Sequence, residues 1–525
     1  MPERKSQHWA DRIVDQILAQ PRPEDHVYHI VTGITPSGRI HIGNLREVLT
    51  ADVIYRILQE RGKKAKLFYI ADDYDPLRKV YPFLDPQNYQ KFVGHPLSDI
   101  PCPCDQHPSY AEHFLEPFLA SMSQLKIDLT VLRASELYKS GRYNQVIIQA
   151  LEARDTIAEI LFRLTGKEID EFWSPFVPIC ESCGSMAETK VIGWDREREL
   201  VGYLCQQCQN QGWVPVQGHG KLTWRVDWPA RWSFLNVDIE PMGKDHGSKG
   251  GSYDTGQEIV RRVFHKEPPF PIVYEWIRLE GMGDMSSSKG NVVAIEDVLK
   301  VVPADVLRYL IIKALPKQRI NFDPVNQLLN VFDEVDNEQA KYRDPRSLEL
   351  SLASGFVPIK VPFNHLISIV QIAGGDPARV SAILKRGGYQ IPESSAKELE
   401  ERCRYALNWL EHFAPAEYRF SVAESVPQSV QSLTPSQRRV LGKLSDLLST
   451  MLSQKEEKDI SAEEIHRSFY EAAQQEKDLS IKEVFQAFYT ALIDKEHGPR
   501  AGWFVKTIGV EFVQKRLAEA SAIEA

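Results

Sequence analysis

The stretch Tyr28-His-Ile-Val-Thr-Gly33-Ile-Thr35-Pro36-Ser37-Gly38-Arg-Ile-His41-Ile-Gly43-Asn44-Leu45 decides how the rest of the chain is read. Val27 to Val31 is a short apolar run, the pattern of a buried strand, and Gly33, Pro36 and Gly38 punctuate a turn after it. From Asn44 the apolar residues Leu45, Val48, Leu49, Ile54, Ile57 and Leu58 recur at helical spacing until Gly62 stops the helix. Lys66 to Ala71 reads as a second strand and ends in Asp72-Asp73. Strand, glycine-bearing turn, helix and strand make a βαβ unit. The backbone N–H groups and dipole at the head of its helix favour phosphate. The turn carries no Gly-Lys-Ser/Thr, so it is not a P-loop, and no Gly-x-Gly-x-x-Gly, which argues against a dinucleotide site.

Composition bounds what surrounds this unit. At 525 residues the chain is too long for one core, and three or four domains are expected. Hydrophobic content of 43% and charged content of 26% are those of a globular protein. No apolar run is long enough for a membrane span, and Met1 to Gln20 is charged and amphipathic without the apolar core of a signal peptide. A cytoplasmic protein is therefore expected. The net charge of -9 gives no global attraction to nucleic acid, so any RNA contact must come from local patches.

Asp72-Asp73-Tyr-Asp75-Pro-Leu-Arg-Lys-Val80 follows the second strand. Carboxylates at the carboxyl end of a parallel strand face the ligand crevice of an open α/β sheet, where they would suit a cationic substrate. A solvated acidic loop is the competing reading.

Six of the seven cysteines fall into two tight groups. Cys102, Cys104, His107 and His113 offer two thiolates and two imidazoles, a tetrahedral zinc set, and Ser109 with Glu112 forms a capping box that opens a helix beside them. The alternative is two buried thiols beside surface histidines. Cys180-x-x-Cys183 and Cys205-x-x-Cys208 flank a segment with strand-like runs at Thr189 to Trp194 and Leu200 to Leu204, the pattern of a zinc ribbon. Four protein ligands leave no open position, so that zinc is structural.

Trp224 to Trp232 holds three tryptophans and reads equally as core. The following Gly243-Lys-Asp245-His246 loop offers groups for a ribose and a substrate carboxylate. Tyr274-Glu-Trp-Ile277 reads as a buried strand leading into Gly281-Met-Gly-Asp284-Met-Ser286-Ser287-Ser288-Lys289-Gly-Asn291. From Ile295 the chain turns helical, and beyond Pro324 nearly everything is amphipathic helix. Val440, Leu441, Leu444, Leu447, Leu448, Met451 and Leu452 form one stripe, Ser461/Glu464 and Ser480/Glu483 are capping boxes, and Cys403 on a stripe with Leu399, Leu407 and Leu410 reads as a buried thiol.

The Pro36 to Asn44 turn resembles the "HIGH" signature of class I aminoacyl-tRNA synthetases, with His41 as the first histidine and Asn44 in place of the second. In such a turn Gly43 would let the adenine ring approach the backbone, and His41 and Asn44 would donate hydrogen bonds to the triphosphate. The loop ending Ser286-Ser287-Ser288-Lys289 resembles the "KMSKS" loop that closes over pyrophosphate in the same class. Three further runs, Asp72 to Val80, Gly243 to Gly256 and Gly498 to Phe504, are similar to class I lysyl-tRNA synthetases, and the similarity covers essentially the whole chain.

The resemblance implies an α/β Rossmann-like catalytic domain over residues 1–275 with a zinc-bearing insertion at about 100–215. A stem-contact region over 276–345 and an all-helical anticodon-binding domain over 346–525 would follow. It implies ATP and L-lysine as substrates, Mg2+ and Zn2+ as cofactors and tRNA(Lys) as partner, with no role for DNA or a membrane. His41, Asn44, Ser286, Ser287, Ser288 and Lys289 would be catalytic. Pro36, Ser37, Gly38, His41, Gly43, Asn44, Asp245 and Lys289 would hold ATP. Gly33, Thr35, Trp224, His246 and Tyr274 would line the lysine pocket, and the residues themselves add Asp72 and Asp73 as partners for the ε-ammonium. Cys180, Cys183, Cys205, Cys208, Cys102, Cys104, His107 and His113 would bind metal. Asp284 stands where the family loop usually begins with lysine, and a carboxylate there would repel the triphosphate if it pointed inward. That keeps open a catalytically weakened paralogue that binds tRNA or lysine. A ligase with a non-tRNA acceptor is also open, although the long helical C-terminal part disfavours it.

Overall fold

The structure is a computed structural model that describes residues 7–523, except 171, 282, 286–291, 338, 341–342 and 477. It divides into two compact units. The first is Met1–Leu299 with Pro303–Asp323 and Asp344–Phe356, and the second is Lys300–Val302 with Pro324–Arg343 and Val357–Ala525. Residues 276–345 therefore do not stand as a unit of their own but are shared between the two, which corrects the expected three-part division.

In chain order the first strands are β1 (Val27–Ile34), β2 (Lys64–Ala71), β3 (Thr130–Arg133), β4 (Phe176–Pro178) and β5 (Thr189–Asp195). Then come β6 (Leu200–Cys205), β7 (Gln211–Pro215), β8 (Gly220–Leu222), β9 (Ile239–Gly243) and β10 (Phe270–Tyr274). Five of them form one parallel sheet in the order β10-β9-β1-β2-β3. The chain winds from β1 through β2 to β3 in one direction and from β9 to β10 in the other. The crevice at the carboxyl ends of β1 and β9 is thus the topological switch point, where ligands bind in open α/β sheets.

The helices that carry the site are α1 (Trp9–Leu18), α2 (Ile42–Glu60), α3 (Tyr110–Gln124), α4 (Arg154–Thr165), α5 (Trp224–Leu235) and α6 (Ser252–Arg262). Leu45, Val48, Leu49, Ile54, Ile57 and Leu58 of α2 are all buried, as their spacing requires, and Gly62 follows its end at φ +71°. The expected strand Tyr274 to Ile277 instead straddles a break. β10 ends at Tyr274, a new strand β11 (Ile277–Leu279) begins, and the N–H of Glu275 between them donates to Pro316 O. β11 pairs with β12 (Gly283–Asp284) and β13 (Ile320–Phe322).

The insertion is not continuous over 100–215. The Cys102 to His113 segment and the β5-β6-β7 ribbon lie on either side of β3, a strand of the main sheet. The two strand-like runs of the ribbon are β5 and β6, paired antiparallel, with β7 completing the sheet.

The second unit is helical apart from short 3-10 turns among its described residues. Val440, Leu441, Leu444 and Leu448 are buried in its core, with Leu447, Met451 and Leu452 packed at the edge. Both predicted capping boxes form, at Ser461/Glu464 and Ser480/Glu483. Cys403 is buried with Leu399 and Leu410, whereas Leu407 is exposed. In the Gly498 to Phe504 run, a Cβ on Gly502 would sit 2.1 Å from Ala462 O, so this glycine lets helix Ala501–Ile508 cross closely over helix Ala462–Gln475. No described helix is long and apolar enough to cross a membrane.

Candidate active site and metal centres

At the end of β1 the backbone reaches His41, which caps α2. Gly43 N donates to His41 Nδ1 at 3.1 Å, and His41 N donates to Asn44 Oδ1 at 3.2 Å, a reciprocal capping box. Both contacts fix chemistry. Burial pushes the His41 pKa down to about 4, so the ring is neutral at pH 7. Because Nδ1 accepts from backbone, Nε2 carries the proton and is the donor. Asn44 has its oxygen engaged, which leaves its NH2 as the donating end. The other N–H groups of the first turn are used as well. Ile42 N donates to Val293 O, and Asn44 N and Leu45 N to His41 O. The backbone N–H groups of this turn are thus engaged within the protein, which leaves the side-chain N–H groups of His41 and Asn44 as its donors. Gly43 also has a different role from the one expected, since a Cβ there would meet the His41 ring at 2.8 Å. Glycine is what lets the imidazole fold back onto the helix.

Of the other proposed nucleotide residues, Pro36 and Gly38 are buried, while Ser37 is half-buried with its carbonyl accepting from Tyr110 Oη at 2.8 Å. Asp245 is exposed in the turn after β9. Ser286, Ser287, Ser288 and Lys289 lie outside the described residues, as does the side chain of Asp284. The residues that follow them are tied to the His41 turn: Ala294 bridges to His41, and Arg39 pairs with Glu296 at 2.6 Å and Asp297 at 3.0 Å.

Between β1, β9 and α5 lies a small cavity of about 40 Å³. Gly33, Trp224 and His246 line it. Tyr274 reaches it through Glu47: Tyr274 Oη donates to Glu47 Oε2 at 2.7 Å, and Gly33 N donates to Glu47 Oε1 at 3.0 Å. Trp224 stacks on Trp228, with ring centroids 5.3 Å apart, and donates through Nε1 to Ser252 Oγ at 3.2 Å. His246 lies beside both indoles, its pKa lowered by burial.

Two carboxylates that sequence reasoning missed face this cavity, Glu47 on α2 and Glu240 on β9. Burial raises Glu47 to about 7 and Glu240 well above its ordinary value. Glu240 accepts from Trp228 Nε1 at 2.8 Å through Oε1, while Oε2 is buried without a hydrogen-bond partner. The available signal was a single acid inside Ile239–Gly243, an otherwise apolar strand.

Asp72 and Asp73 do not serve as open anions. Arg231 of α5 forms a bidentate pair with Asp72, whose Oδ2 lies 2.9 Å from Nη1, and it also pairs with Asp227. Lys221 of β8 lies 3.3 Å from Asp72 and pairs with Asp75. Although burial opposes ionisation of Asp72, these cations hold it down to about 2. Asp73 accepts from Ser135 N at 2.8 Å and from Ser135 Oγ at 2.5 Å, capping the helix after β3. Both residues are engaged by the protein's own donors, Asp72 by two cations and Asp73 by Ser135, which weighs against the expected role at an ammonium. Thr35 is likewise turned to Asp75, donating to Oδ2 at 2.7 Å.

Both cysteine groups close into compact sets, with all ligand atoms of each within 4.8 Å of one another. Cys180 Sγ is 3.5 Å from Cys208 Sγ, and Cys183 Sγ is 3.7 Å from Cys205 Sγ. Burial opposes ionisation of Cys180, but the N–H groups of Cys183 and Ser182 outweigh it and bring the thiol to about 6. In the second set Cys102 Sγ is 3.3 Å from both Cys104 Sγ and His107 Nδ1, and Cys104 Sγ is 3.2 Å from His113 Nδ1. His107 turns its Nε2 to Glu116 at 3.1 Å, the carboxylate orientation typical behind a metal-bound imidazole. Sulfur and nitrogen atoms about 3.5 Å apart are the edges of a tetrahedron with metal bonds of about 2.0–2.3 Å, so both sets fit a metal ion. The Ser109 cap forms as predicted, its Oγ accepting from Glu112 N. The Glu112 carboxylate instead pairs with Arg133 at 2.6 Å, so the box is half made.

A parallel sheet with a histidine-capped helix at its switch point, a β9 loop facing it and a returning segment pinned to that cap is the catalytic frame of a class I aminoacyl-tRNA synthetase. Residues 7–355 match the family "tRNA synthetases class I (K)" and residues 393–521 match "Anticodon binding domain". The chain belongs to the class I lysine-type tRNA synthetases. It is 47% identical to lysine–tRNA ligase 1 of Methanosarcina acetivorans over 98% of each chain. To the lysine–tRNA ligase of Archaeoglobus fulgidus it is 43% identical, over 98% of this chain and all of that one. Among solved structures it is similar to a glutamate tRNA ligase from Elizabethkingia meningosepticum at 12% identity and TM-score 0.42, covering 94% of this chain and 99% of that one. A likeness at that level says nothing about substrate.

Proposed function

We propose that the chain is a lysine–tRNA ligase, activating L-lysine with ATP and charging tRNA(Lys), and that the cavity between β1, β9 and α5 holds the lysine side chain. The observation that carries the substrate reading is the pair of buried carboxylates, Glu47 and Glu240. Two raised acids, one with an oxygen that accepts no hydrogen bond, face aromatic walls. The guanidinium on the same lining, Arg231, pairs with Asp72 and Asp227, so Glu47 and Glu240 hold no ion pair of their own among the described residues. The ε-ammonium of lysine supplies a cation for them, and the Trp224 and Trp228 rings suit its methylene stem. Glu47 and Glu240 replace Asp72 and Asp73 in this reading. Gly33, His246 and Tyr274 complete the pocket, and Thr35 shapes it through its bond to Asp75.

In the first step a lysine carboxylate oxygen attacks the α-phosphorus of ATP, and the bond to the leaving pyrophosphate breaks. In the second, the 2′-hydroxyl of the terminal adenosine attacks the acyl carbon, and AMP leaves. Neither step needs a covalent enzyme intermediate, so the protein contributes position and charge. Neutral His41 donates from Nε2 and Asn44 from its NH2 to phosphate oxygens as charge builds on them. Pro36, Ser37, Gly38 and Gly43 shape the nucleotide turn, Asp245 meets the ribose, and Ser286 to Ser288 with Lys289 cover the pyrophosphate. Mg2+ enters with the nucleotide. Cys180, Cys183, Cys205 and Cys208 would hold one Zn2+ and Cys102, Cys104, His107 and His113 another, and each ion would serve as a structural cross-link. The reaction takes place in the cytoplasm. Relatives that are ligases along their full length lend nothing to the weakened-paralogue or small-acceptor alternatives.

The test is charging of a tRNA(Lys) transcript with each amino acid in turn, with ATP and Mg2+. Lysine should be the amino acid accepted. Failure to charge lysine, or preferential charging of another amino acid, would overturn the reading.

A further inference from the structure

A cavity larger than the proposed amino-acid pocket adjoins it in the first unit. It measures about 620 Å³ and lies between α4, the 167–174 loop, β5 and the head of α5. We propose that this cavity receives the unpaired 3′-terminal adenosine of the acceptor RNA. The proposal rests on the ligase reading above and adds the place where its second substrate docks.

Position is the first argument. Trp224 lines this cavity on one side and the amino-acid pocket on the other. Its stack on Trp228 and its bond to Ser252 make it a fixed wall between the two. A nucleoside in the larger cavity is then one indole away from the group it must attack.

Chemistry is the second. Phe172 is 48% exposed and Trp224 37%, large apolar faces that a closed core would have covered. Lys190 holds its ammonium 5.5 Å from the centre of the Phe172 ring, and Lys167 and Arg225 add positive charge to a lining that also holds Glu168 and Asp170. Aromatic faces for bases with cations for phosphates are the means by which proteins hold single-stranded RNA. The volume suits one nucleotide with room for its neighbour's sugar.

Continuity is the third. A second cavity of about 380 Å³ shares Phe172, Trp173 and Ser174 with the first and adds Arg154, Ile192 and Trp194. Phe172 and Trp173 thus line both of two adjoining hollows. An isolated small molecule would fill one hollow; a strand end uses both.

The experiment compares tRNA(Lys) ending in CCA with the same RNA lacking the terminal adenosine, measuring Kd by filter binding at fixed salt. Wild type should bind the complete RNA about tenfold more tightly, given that stacking of one base on an aromatic side chain gives roughly five- to a hundredfold. In Phe172→Ala the ratio should fall below about twofold, and Phe172→Trp should restore it. Phe162→Ala, exposed on α4 but outside the lining, is the control and should keep the wild-type ratio. Lysine binding by calorimetry should be unchanged in Phe172→Ala, which separates lost docking from lost fold. A wild-type protein that fails to charge lysine overturns the ligase reading. If the protein charges lysine and Phe172→Ala keeps the full ratio, the docking site alone is overturned. Adenosine 5′-monophosphate tests the other source: if it binds in a Phe172-dependent way while the RNA ratio does not change, the cavity belongs to a free nucleotide and the proposal fails.

Discussion

Glu240→Gln separates the two sets of acids that compete for the lysine ammonium. The substitution removes one charge from the pocket and keeps the side chain's length and its acceptor for Trp228 Nε1. In the empty protein the Glu240 carboxyl is buried with Oε2 unpartnered, so replacing it should leave the melting temperature equal or slightly higher. Lysine affinity should fall. Removing one side of a buried charged hydrogen bond costs about 2–5 kcal/mol, and Glu47 on the other wall retains part of the attraction. The expectation is therefore the lower end, about 2–3 kcal/mol, or roughly 30- to 150-fold in Kd. Asp72→Asn is the contrasting change. It weakens the pairing of Arg231 and Lys221, both buried, and breaking such a pair costs about 3–5 kcal/mol of stability. Its folded fraction should bind lysine with nearly the wild-type Kd. Calorimetric lysine titrations and thermal melts on both variants decide the matter. A Glu240→Gln Kd within threefold of wild type, with Asp72→Asn losing affinity at an unchanged melting temperature, would refute the assignment.

Lysine binding should release protons, because an arriving ammonium lowers the pKa of Glu47, which is about 7 when the pocket is empty. Affinity should then rise with pH through neutrality and fall up to about tenfold per unit below about 6, read by titrations in buffers of different ionisation enthalpy. Metal analysis should find two equivalents of zinc; Cys180→Ser/Cys205→Ser should lose one and Cys102→Ser/Cys104→Ser the other. Unchanged zinc in either pair would remove that site. Lys289→Ala should slow adenylate formation by about a hundredfold in single turnover with lysine binding nearly untouched, since a charge aimed at the departing pyrophosphate acts mainly in the transition state. Asp284→Ala should change little or raise the rate slightly. Lys221→Met should lower the melting temperature and raise the KM for lysine, because Thr35 loses the partner that holds Asp75 in place.

The parts of the fold that could be read in the sequence are those with a local cause. The α2 stripe, the three strand-like runs at β2, β5 and β6, and the capping boxes of the helical unit each follow from periodicity or from a side chain bonding its own turn. The cysteine sets were legible for the same reason, since ligand spacing along a short loop nearly fixes ligand spacing in space. What could not be read depends on residues far apart in sequence. Glu240 is one acid on a short strand, and nothing local says that α2 will bring Glu47 to the same cavity. The His41 turn shows both sides. Its strand-turn-helix form was legible, but the full use of its N–H groups was not, because one acceptor, Val293, lies 251 positions beyond Ile42.

Asp72 carries the sharpest lesson about charge. An acid at the carboxyl end of a central parallel strand does face the ligand crevice, and that rule is sound. Whether it meets a ligand depends on which cations the rest of the chain delivers first. Here β8 brings Lys221 and α5 brings Arg231, both buried, and Asp72, Asp75 and Asp227 are shared between them. Charges this deep are tolerable only when paired, so a third cation entering from solvent would have to displace one already held. Glu47 and Glu240 form no such ion pair among the described residues: the donors within hydrogen-bond distance are an N–H, a tyrosine and a tryptophan, all neutral, and Arg231 on the same cavity wall acts on Glu240 only through space. Neutral donors keep a carboxyl protonated and cheap to bury until a cation arrives, whereas cations already bonded to it ionise it and compete with any substrate cation. One kind of buried acid holds the sheet, the insertion strand β8 and the Thr35 turn together; the other kind stays free of ion pairs, which is what the proposed seat for an ammonium requires.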